Sequence, residues 1–120
     1  MIEQLPESHG KIIAFKFTGI LRDADYETFT PAVEHVIAEH GSARILGVFE
    51  DFHGWTPKAA WDDFKFGIKH YNDIERIAMV GENRFEKWMT LLAKPFTHAQ
   101  VKYFDIAELS TAWAWIAETS

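Results

Sequence analysis

The sequence predicts a single α/β domain over residues 1–120, with a mostly parallel sheet, an N-terminal antiparallel hairpin and four helices. The length of 120 residues falls within the range of about 100–150 residues that is typical of one domain. The composition, 48% hydrophobic and 25% charged, supplies enough apolar surface for a buried core. After two strand-like segments, helix and strand patterns alternate along the chain, and this order favours right-handed crossovers in a parallel sheet.

The first two segments predict the antiparallel hairpin. Residues 3–6 are a candidate for a short strand. In residues 11–18, successive side chains alternate between the two faces of a second strand. The side chains that share one face of the second strand are Ile13, Phe15 and Phe17. The turn residues between the two segments are Ser8, His9 and Gly10.

Residues 23–40 predict an amphipathic helix, because apolar residues recur there at spacings of three and four. The members of this stripe are Tyr26, Phe29, Val33, Val36, Ile37 and His40. Gly41 stands where the helix is expected to end. Pro31 lies inside the pattern and predicts a kink, or a restart of the helix capped by Thr30.

Two apolar runs, residues 44–52 and 74–80, predict buried strands that are parallel neighbours, since neither run alternates with a polar face. A shorter strand is expected at residues 101–104. Helices are expected over residues 57–71 and 83–93, and a last helix begins near residue 105. The residues that indicate these three helix starts are Thr56 with Pro57, Asn83 with Glu86, and Asp105 with Glu108.

The composition excludes several classes of function. The chain has no cysteine, which excludes disulfides, thiolate metal sites and a cysteine nucleophile. The formal net charge of −6 disfavours a nucleic-acid partner, because binding to phosphates depends on basic surface. The longest apolar run covers only residues 112–117, and the N-terminus lacks the pattern of a signal peptide. We therefore expect a cytoplasmic protein without a cofactor or a metal.

Two adjacent segments suggest a known family. Residues 49–56 read Phe-Glu-Asp-Phe-His-Gly-Trp-Thr, and residues 59–67 read Ala-Ala-Trp-Asp-Asp-Phe-Lys-Phe-Gly. Supporting matches follow at residues 76–81, Trp88, residues 94–96 and residues 103–105. Together they resemble the SpoIIAA-like family of small bacterial proteins with a STAS-like fold, over nearly the whole chain.

The resemblance implies a STAS-like α/β domain without an established catalytic activity. Members of the family have been proposed to associate with membranes and to hold small apolar ligands, by analogy with CRAL-TRIO lipid-carrier domains. The related anti-sigma-factor antagonists are switched by phosphorylation of an Asp-Ser-Ser-Gly motif after the central strand. Residues 51–56 contain no serine, and their hydroxyl residue, Thr56, is already expected to cap a helix, so the phosphoswitch is not carried over.

An acid–base site is conceivable at the end of the central strand, where open α/β sheets bind ligands. The polar residues near this edge are Glu50, Asp51, His53, Asp62 and Asp63. A carboxylate with a histidine, here Asp51 and His53, is a residue combination that general acid–base catalysis uses. Turn hydrogen bonds and favourable charges at a helix start explain the same residues without catalysis, and this structural interpretation is favoured.

The helix over residues 57–71 has two candidate surfaces. Its apolar stripe, expected to face the core, consists of Ala60, Trp61, Phe64, Ile68 and Tyr71. Phe66 falls on the opposite side, beside a line formed by Lys58, Lys65 and Lys69. A phenylalanine among lysines is typical of helices that lie on anionic membranes, and a solvated lysine ridge is the alternative.

Large apolar side chains near the two middle helices form a candidate ligand pocket. Its members are Phe52, Trp55, Trp61, Phe64, Trp88 and Met89. Ordinary core packing explains the same residues, and this interpretation is favoured. In the last helix, Trp113 belongs to the core stripe, whereas Trp115 points away from it and is expected at the surface or in a weak homodimer.

These observations favour a non-enzymatic domain that binds a small apolar or lipid-like ligand and touches the inner face of the membrane reversibly. The alternative is a regulatory protein–protein interaction module. An enzyme that uses Asp51 and His53 is a third, less favoured hypothesis.

Overall fold

The computed structural model describes residues 1–70, 72–82 and 99–118, and for residues 63, 64, 67 and 68 it describes the backbone. The strands are β1 (Ile2–Gln4), β2 (Ile12–Leu21), β3 (Ala43–Trp55), β4 (Ile74–Gly81) and β5 (Gln100–Asp105). The helices of these residues are α1 (Asp23–His40), α2 (Pro57–Lys69) and α3 (Leu109–Ile116), and a 3₁₀ turn at Ile106–Glu108 precedes α3. Of these helices, none is both long enough and apolar enough to cross a bilayer.

The five strands form one mixed sheet in the order β1-β2-β3-β4-β5. β1 and β2 pair antiparallel, with Ile2 opposite Phe17, and the other neighbouring strands pair parallel. In the central pair, Leu46 of β3 lies opposite Ala78 of β4. The predicted hairpin and the two buried parallel neighbours are therefore confirmed. Of the four predicted helices, the one over residues 83–93 lies outside the described residues.

The carboxyl end of β3 is irregular, and this irregularity determines where Trp55 lies. The register between β2 and β3 shifts on both sides of Gly19, which pairs with Phe52. Asp51 and Gly54 both have positive φ, 50° and 109°. The strand continues past these kinks to residue 55, three residues beyond the predicted end, and Trp55 lies opposite Leu21.

Helix α1 runs without interruption through Pro31, so the predicted restart at Thr30 is wrong. Phe29 and Val33 lie on either side of Pro31, and both are buried against the sheet. Their packing outweighs the cost of a proline inside a helix. The helix ends as predicted at Gly41, whose φ is 81° and whose N–H donates to the carbonyl of Ile37 at 2.7 Å.

The two faces of the sheet have different cores. The aromatic face packs against α1 and α2, and its buried rings are Phe15, Phe17, Tyr26, Phe29, Phe49 and Phe52. The aliphatic face packs against α3, and its buried residues are Ile12, Ala14, Leu46, Val48, Ala78, Val80, Phe104, Ala112 and Ile116. Alternation along β3 separates the two sets, because successive side chains of a strand point to opposite faces.

The predicted phase of α2 is wrong. Trp61, expected in the core, is 58% exposed, whereas Phe66, expected at the surface, is half-buried against the aromatic core. The fully buried residue of the first turn is Ala59. A small side chain at this contact lets the helix approach the sheet closely, and the rotation that places Ala59 inward also turns Trp61 outward. Thr56 caps the helix as predicted, accepting a hydrogen bond from the Ala59 N–H at 3.2 Å.

The expected exposure of Trp115 is also wrong. Its ring packs against the aliphatic core, 5.9 Å from the ring of Phe104, and the Arg76 guanidinium lies 5.0 Å from its centre. The weak homodimer was predicted because Trp115 was expected to be exposed, and that reason no longer holds.

Two buried arginines hold the last turn of α3 on the sheet. Arg44 Nη1 donates to the carbonyl of Ile116 at 2.9 Å and to that of Glu118, and Arg76 Nη1 donates to the carbonyl of Trp115 at 2.6 Å. Arg44 Nε also binds Glu75 at 2.8 Å. These charged donors satisfy carbonyls that a helix end leaves without partners.

Glu75 is the acidic centre of this cluster. It accepts hydrogen bonds from Ser42 at 2.5 Å and from Lys11 at 2.9 Å, in addition to the bond from Arg44. The Ser42 hydroxyl, followed by these cations, lowers the pKa of Glu75 to about 2 against the opposing effect of burial.

Candidate functional site

A cavity of about 170 Å³ lies between helices α1 and α2 and the aromatic face of the sheet. Its described lining residues are Phe17, Tyr26, Phe29, Ile45, Gly47, Phe49, Trp55, Phe66, His70, Ile74, Ile77, Ala78 and Met79. Seven of these thirteen residues carry a ring, and the remainder are apolar. The site is therefore an apolar, aromatic-walled space, the kind that takes small molecules.

The floor of the cavity depends on Gly47 of β3. A Cβ atom at this position would lie 2.7 Å from Cε2 of Phe17, too close for any side chain. The absent side chain lets the rings of Phe17 and Phe49 stack across the strand, with centres 4.8 Å apart and planes 15° apart. A glycine inside a strand thus provides a flat aromatic floor.

The wall nearest α1 is fixed by a hydrogen bond between two aromatic residues. Trp55 Nε1–H donates to the hydroxyl oxygen of Tyr26 at 2.7 Å. Phe52 packs edge-on against Trp55, with ring centres 5.0 Å apart, and Phe29 packs edge-on against Phe66 at 5.3 Å. The rings therefore support one another and hold the wall in place.

His70 closes the cavity at the end of α2. It is only 7% exposed, its Nδ1 lies 2.9 Å from Asp73 Oδ2, and its Nε2 lies 3.0 Å from Glu34 Oε2. Ionised carboxylates only accept hydrogen bonds, so both contacts are satisfied together when both ring nitrogens carry hydrogen. Lys69 binds the same Glu34 oxygen at 2.9 Å, and this hydrogen bond holds the pKa of Glu34 below its usual value.

The comparisons with known proteins bear on this architecture. A family described as SpoIIAA-like matches residues 12–117. The chain belongs to the SpoIIAA-like family. An uncharacterised protein of the DUF3478 family with a SpoIIAA-like fold, from Shewanella loihica PV-4, is a structural neighbour with a TM-score of 0.79 and 32% identity. That similarity covers 97% of this chain and 93% of the neighbour. A comparison with curated proteins found no match.

The predicted ligand residues of this SpoIIAA-like domain are only partly brought together. Trp55 lines the cavity, and Phe52 is buried behind it. Trp61 is exposed on the outer surface of α2 and is not among the lining residues. The side chains of Phe64, Trp88 and Met89 lie outside the described residues.

Several lining residues were missed by sequence reasoning, although some carried a signal. The alternation of Ile45, Gly47 and Phe49 along β3, with a glycine where a large side chain is expected, indicates a close approach of another group. Phe17 had already been assigned to the same face as Phe15. His70 gave no comparable signal, because its partner Glu34 lies 36 residues away in sequence.

The predicted lysines lie along the groove between α1 and α2, and each has an acidic partner. Lys58 Nζ lies 3.2 Å from Asp23, Lys65 Nζ lies 3.7 Å from Asp62, and Lys69 Nζ lies 2.9 Å from Glu34. The hydrogen bond between Lys58 and Asp23 raises the pKa of the lysine and lowers the pKa of the aspartate. Phe66 lies on the inner side of this groove and not at the membrane-facing surface that was predicted for it.

The candidate acid–base residues lie at the carboxyl end of β3, as predicted. Glu50 pairs with Lys16 at 3.1 Å, and Asp51 and His53 are both exposed. Within the described residues, no hydrogen bond joins Asp51 to His53. The side chain of Asp63 lies outside the described residues.

Proposed function

We propose that this SpoIIAA-like domain binds a small apolar molecule in the cavity between α1, α2 and the sheet. The observation that supports the proposal is the aromatic lining of a space of about 170 Å³. Apolar surface that leaves water on binding contributes about 25 cal/mol per Å². A molecule that fits this space therefore gains affinity chiefly from burial of its own surface and of the surrounding rings.

The polar groups of the cavity support binding rather than acid–base catalysis. Both nitrogens of His70 are engaged by carboxylates, and the indole N–H of Trp55 is engaged by Tyr26. A general acid or base needs a nitrogen or oxygen atom that is available to hydrogen-bond with the reacting group of the substrate. We therefore propose a carrier or sensor of the bound molecule and not an enzyme.

Native mass spectrometry of the protein, isolated without denaturation, tests this function. The proposal predicts a copurified small molecule that is released on unfolding and is lost in Ile45→Phe, which fills the cavity. The matched control is Ile20→Phe, the same change at a half-exposed position of β2. A stable protein partner recovered without any small molecule would favour the regulatory interaction module instead.

Reversible contact with an anionic membrane is a second proposed function, supported by a different observation. Lys58, Trp61 and Lys65 are spaced to share one face of α2, and Trp61 is the exposed aromatic among them. Tryptophan favours the membrane interface, and each lysine near an anionic surface contributes about 1 kcal/mol. The acidic partners of these lysines and the net charge of −6 keep such binding weak.

Cosedimentation with anionic vesicles tests the membrane proposal. Binding is expected to decrease with salt, because salt screens the attraction between the lysines and the anionic surface. Trp61→Ala is expected to reduce binding, whereas Lys102→Gln, which removes an exposed cation from β5, is the control. Absence of binding at low salt would leave the lysines as a solvated helix face.

A further inference from the structure

We infer that the occupant of the cavity is a neutral molecule whose buried part is a single six-membered aromatic ring, and that the acyl chain of a membrane lipid is excluded. This inference rests on the proposed function and specifies its ligand class. Three properties of the cavity support it: its volume, the orientation of its rings and the charge of its surroundings.

The volume limits the buried part to about six or seven non-hydrogen atoms. A dry apolar cavity of about 150 Å³ holds one benzene molecule, and the cavity here measures about 170 Å³. One water molecule occupies about 30 Å³ in the liquid, and a methylene group is of similar size. A sixteen-carbon chain therefore needs more than twice the available space.

The orientation of the wall rings favours an aromatic guest over an aliphatic guest of the same size. The stacked pair Phe17 and Phe49 presents a flat surface, with planes 15° apart. Phe29 and Phe66 meet edge to face, with planes 61° apart, so both kinds of ring surface surround the space. Offset-stacked and edge-to-face contacts add about 0.5–1.5 kcal/mol per aromatic pair beyond burial, which corresponds to about a 2- to 10-fold gain in affinity.

The surroundings favour a neutral molecule. Glu34 and Asp73 face the two ring nitrogens of His70 at 3.0 Å and 2.9 Å, so an ionised carboxylate at this end would meet two like charges. Elsewhere the described lining is uncharged, and burial of an unpaired charge there is strongly unfavourable.

The neighbouring groove does not alter this preference. Tyr26 and Phe66 line both the cavity and the groove between α1 and α2. The charged residues along the groove are three acids and three lysines, namely Asp23, Glu27, Asp62, Lys58, Lys65 and Lys69. Their formal charges cancel, so the groove selects neither anions nor cations.

Calorimetry of the full chain in sealed cells, with four probes, tests the inference. The probes are toluene, benzoate, n-hexane and hexadecanoate, and the readout is the shift in Tm, converted to affinity by linkage. Toluene is expected to raise Tm and to bind about 2- to 10-fold tighter than n-hexane. Benzoate, which replaces the methyl group of toluene by a charge, and hexadecanoate are expected to give no shift.

Three variants locate the binding site. Ile45→Phe and Ile77→Phe add three carbons at two different positions of the cavity lining, and each is expected to abolish the toluene shift. Two separate filling positions keep the test informative if one variant fails to fold. Ile20→Phe makes the same change at a half-exposed position and is expected to retain the shift.

The outcomes separate the inference from the function on which it rests. If hexadecanoate bound as tightly as toluene or more tightly, and Ile45→Phe abolished that binding, the inference would be overturned but an apolar-ligand site would remain. Equal binding of n-hexane and toluene would overturn the aromatic preference. Absence of any shift with all four probes would overturn the proposed function together with the inference.

Discussion

The two faces of the sheet belong to the same strands, but different kinds of side chain pack on each face. On the aliphatic face, α3 rests on small and branched side chains, and Ala14, Ala78 and Ala112 have no exposed surface. On the aromatic face, α1 and α2 rest on rings, and a cavity of about 170 Å³ remains between them. Branched aliphatic side chains interdigitate, whereas rigid planar rings leave spaces that neighbours cannot fill by rotating a bond.

The helices are attached to the two faces by different means as well. Two buried arginines bind the carbonyls at the end of α3, and Glu75 balances the charge of Arg44. Helix α2 is joined to α1 by exposed ion pairs at both ends, through Lys58 with Asp23 and Lys69 with Glu34. Exposed pairs contribute little, so among the described side chains of α2 it is Phe66 and Ala59 that attach the helix to the core.

The largest expected effect separates two aromatic residues of the same helix. Phe66→Ala is expected to lower the free energy of unfolding by about 2–3 kcal/mol, less than the loss of about 3–5 kcal/mol for a fully buried phenylalanine, because the ring is half-buried. Trp61→Ala is expected to change it by about 0.5 kcal/mol, as is usual at exposed positions. Urea unfolding measures both, and equal losses would contradict the observed phase of α2.

The second prediction concerns the polar attachment of α3. Arg44→Met is expected to lower the free energy of unfolding by about 1.5–3 kcal/mol, since it removes hydrogen bonds from a charged donor to buried groups. Lys11→Met removes a more exposed partner of Glu75 and is expected to cost less than about 1 kcal/mol. Hydrogen exchange in the Arg44 variant should increase first in α3, and a uniform increase in α1 and α3 would contradict the proposed attachment.

The third prediction compares how the two faces tolerate added volume. Ala14→Leu and Ile45→Phe each add three carbon atoms, the first on the aliphatic face and the second at the cavity. Ala14→Leu is expected to cost about 1–3 kcal/mol through overpacking, and Ile45→Phe less than about 1 kcal/mol. Thermal unfolding of the two variants measures both losses of stability. A larger loss in Ile45→Phe than in Ala14→Leu would contradict the distinction between the faces.

The fourth prediction concerns pH. The pKa of Glu75 is about 2 in the fold, below its ordinary value of 4.5, so the ionised form stabilises the folded state. This contribution is complete above about pH 4.5 and is lost as the pH falls toward 2. Glu75→Gln is therefore expected to flatten the acid side of the stability profile between pH 4.5 and 2. A variant profile parallel to that of the parent would show that Glu75 does not supply the slope.

The elements with local signals were predictable from the sequence. The apolar runs of β3 and β4, the stripe of α1 and its end at Gly41 all depend on spacings within a few residues. The phase of α2 was not predictable in the same way, because Trp61 and Phe66 are both aromatic and only the close contact at Ala59 decides between them. The pairing of His70 with Glu34 and of Arg44 with the end of α3 joins residues distant in sequence, for which no local pattern exists.

The sequence analysis predicted an apolar pocket, but it identified only some of the residues that line the cavity. Trp55 was identified because it is one of the large apolar side chains near the two middle helices and the sheet. The floor formed by Phe17, Gly47 and Phe49 requires the register between β2 and β3, in which Phe17 lies opposite Phe49. That register follows from pairing two strands that are separated by the whole of α1.

Methyl NMR spectroscopy of the protein titrated with toluene tests the difference between the faces most directly. The methyl signals of Ile45, Ile74 and Met79, which line the cavity, are expected to shift with saturation. Those of Leu46, Val80 and Ile116, buried on the aliphatic face, are expected to stay in place. Equal shifts on both faces, or no shift at the cavity methyls at saturating toluene, would contradict the account.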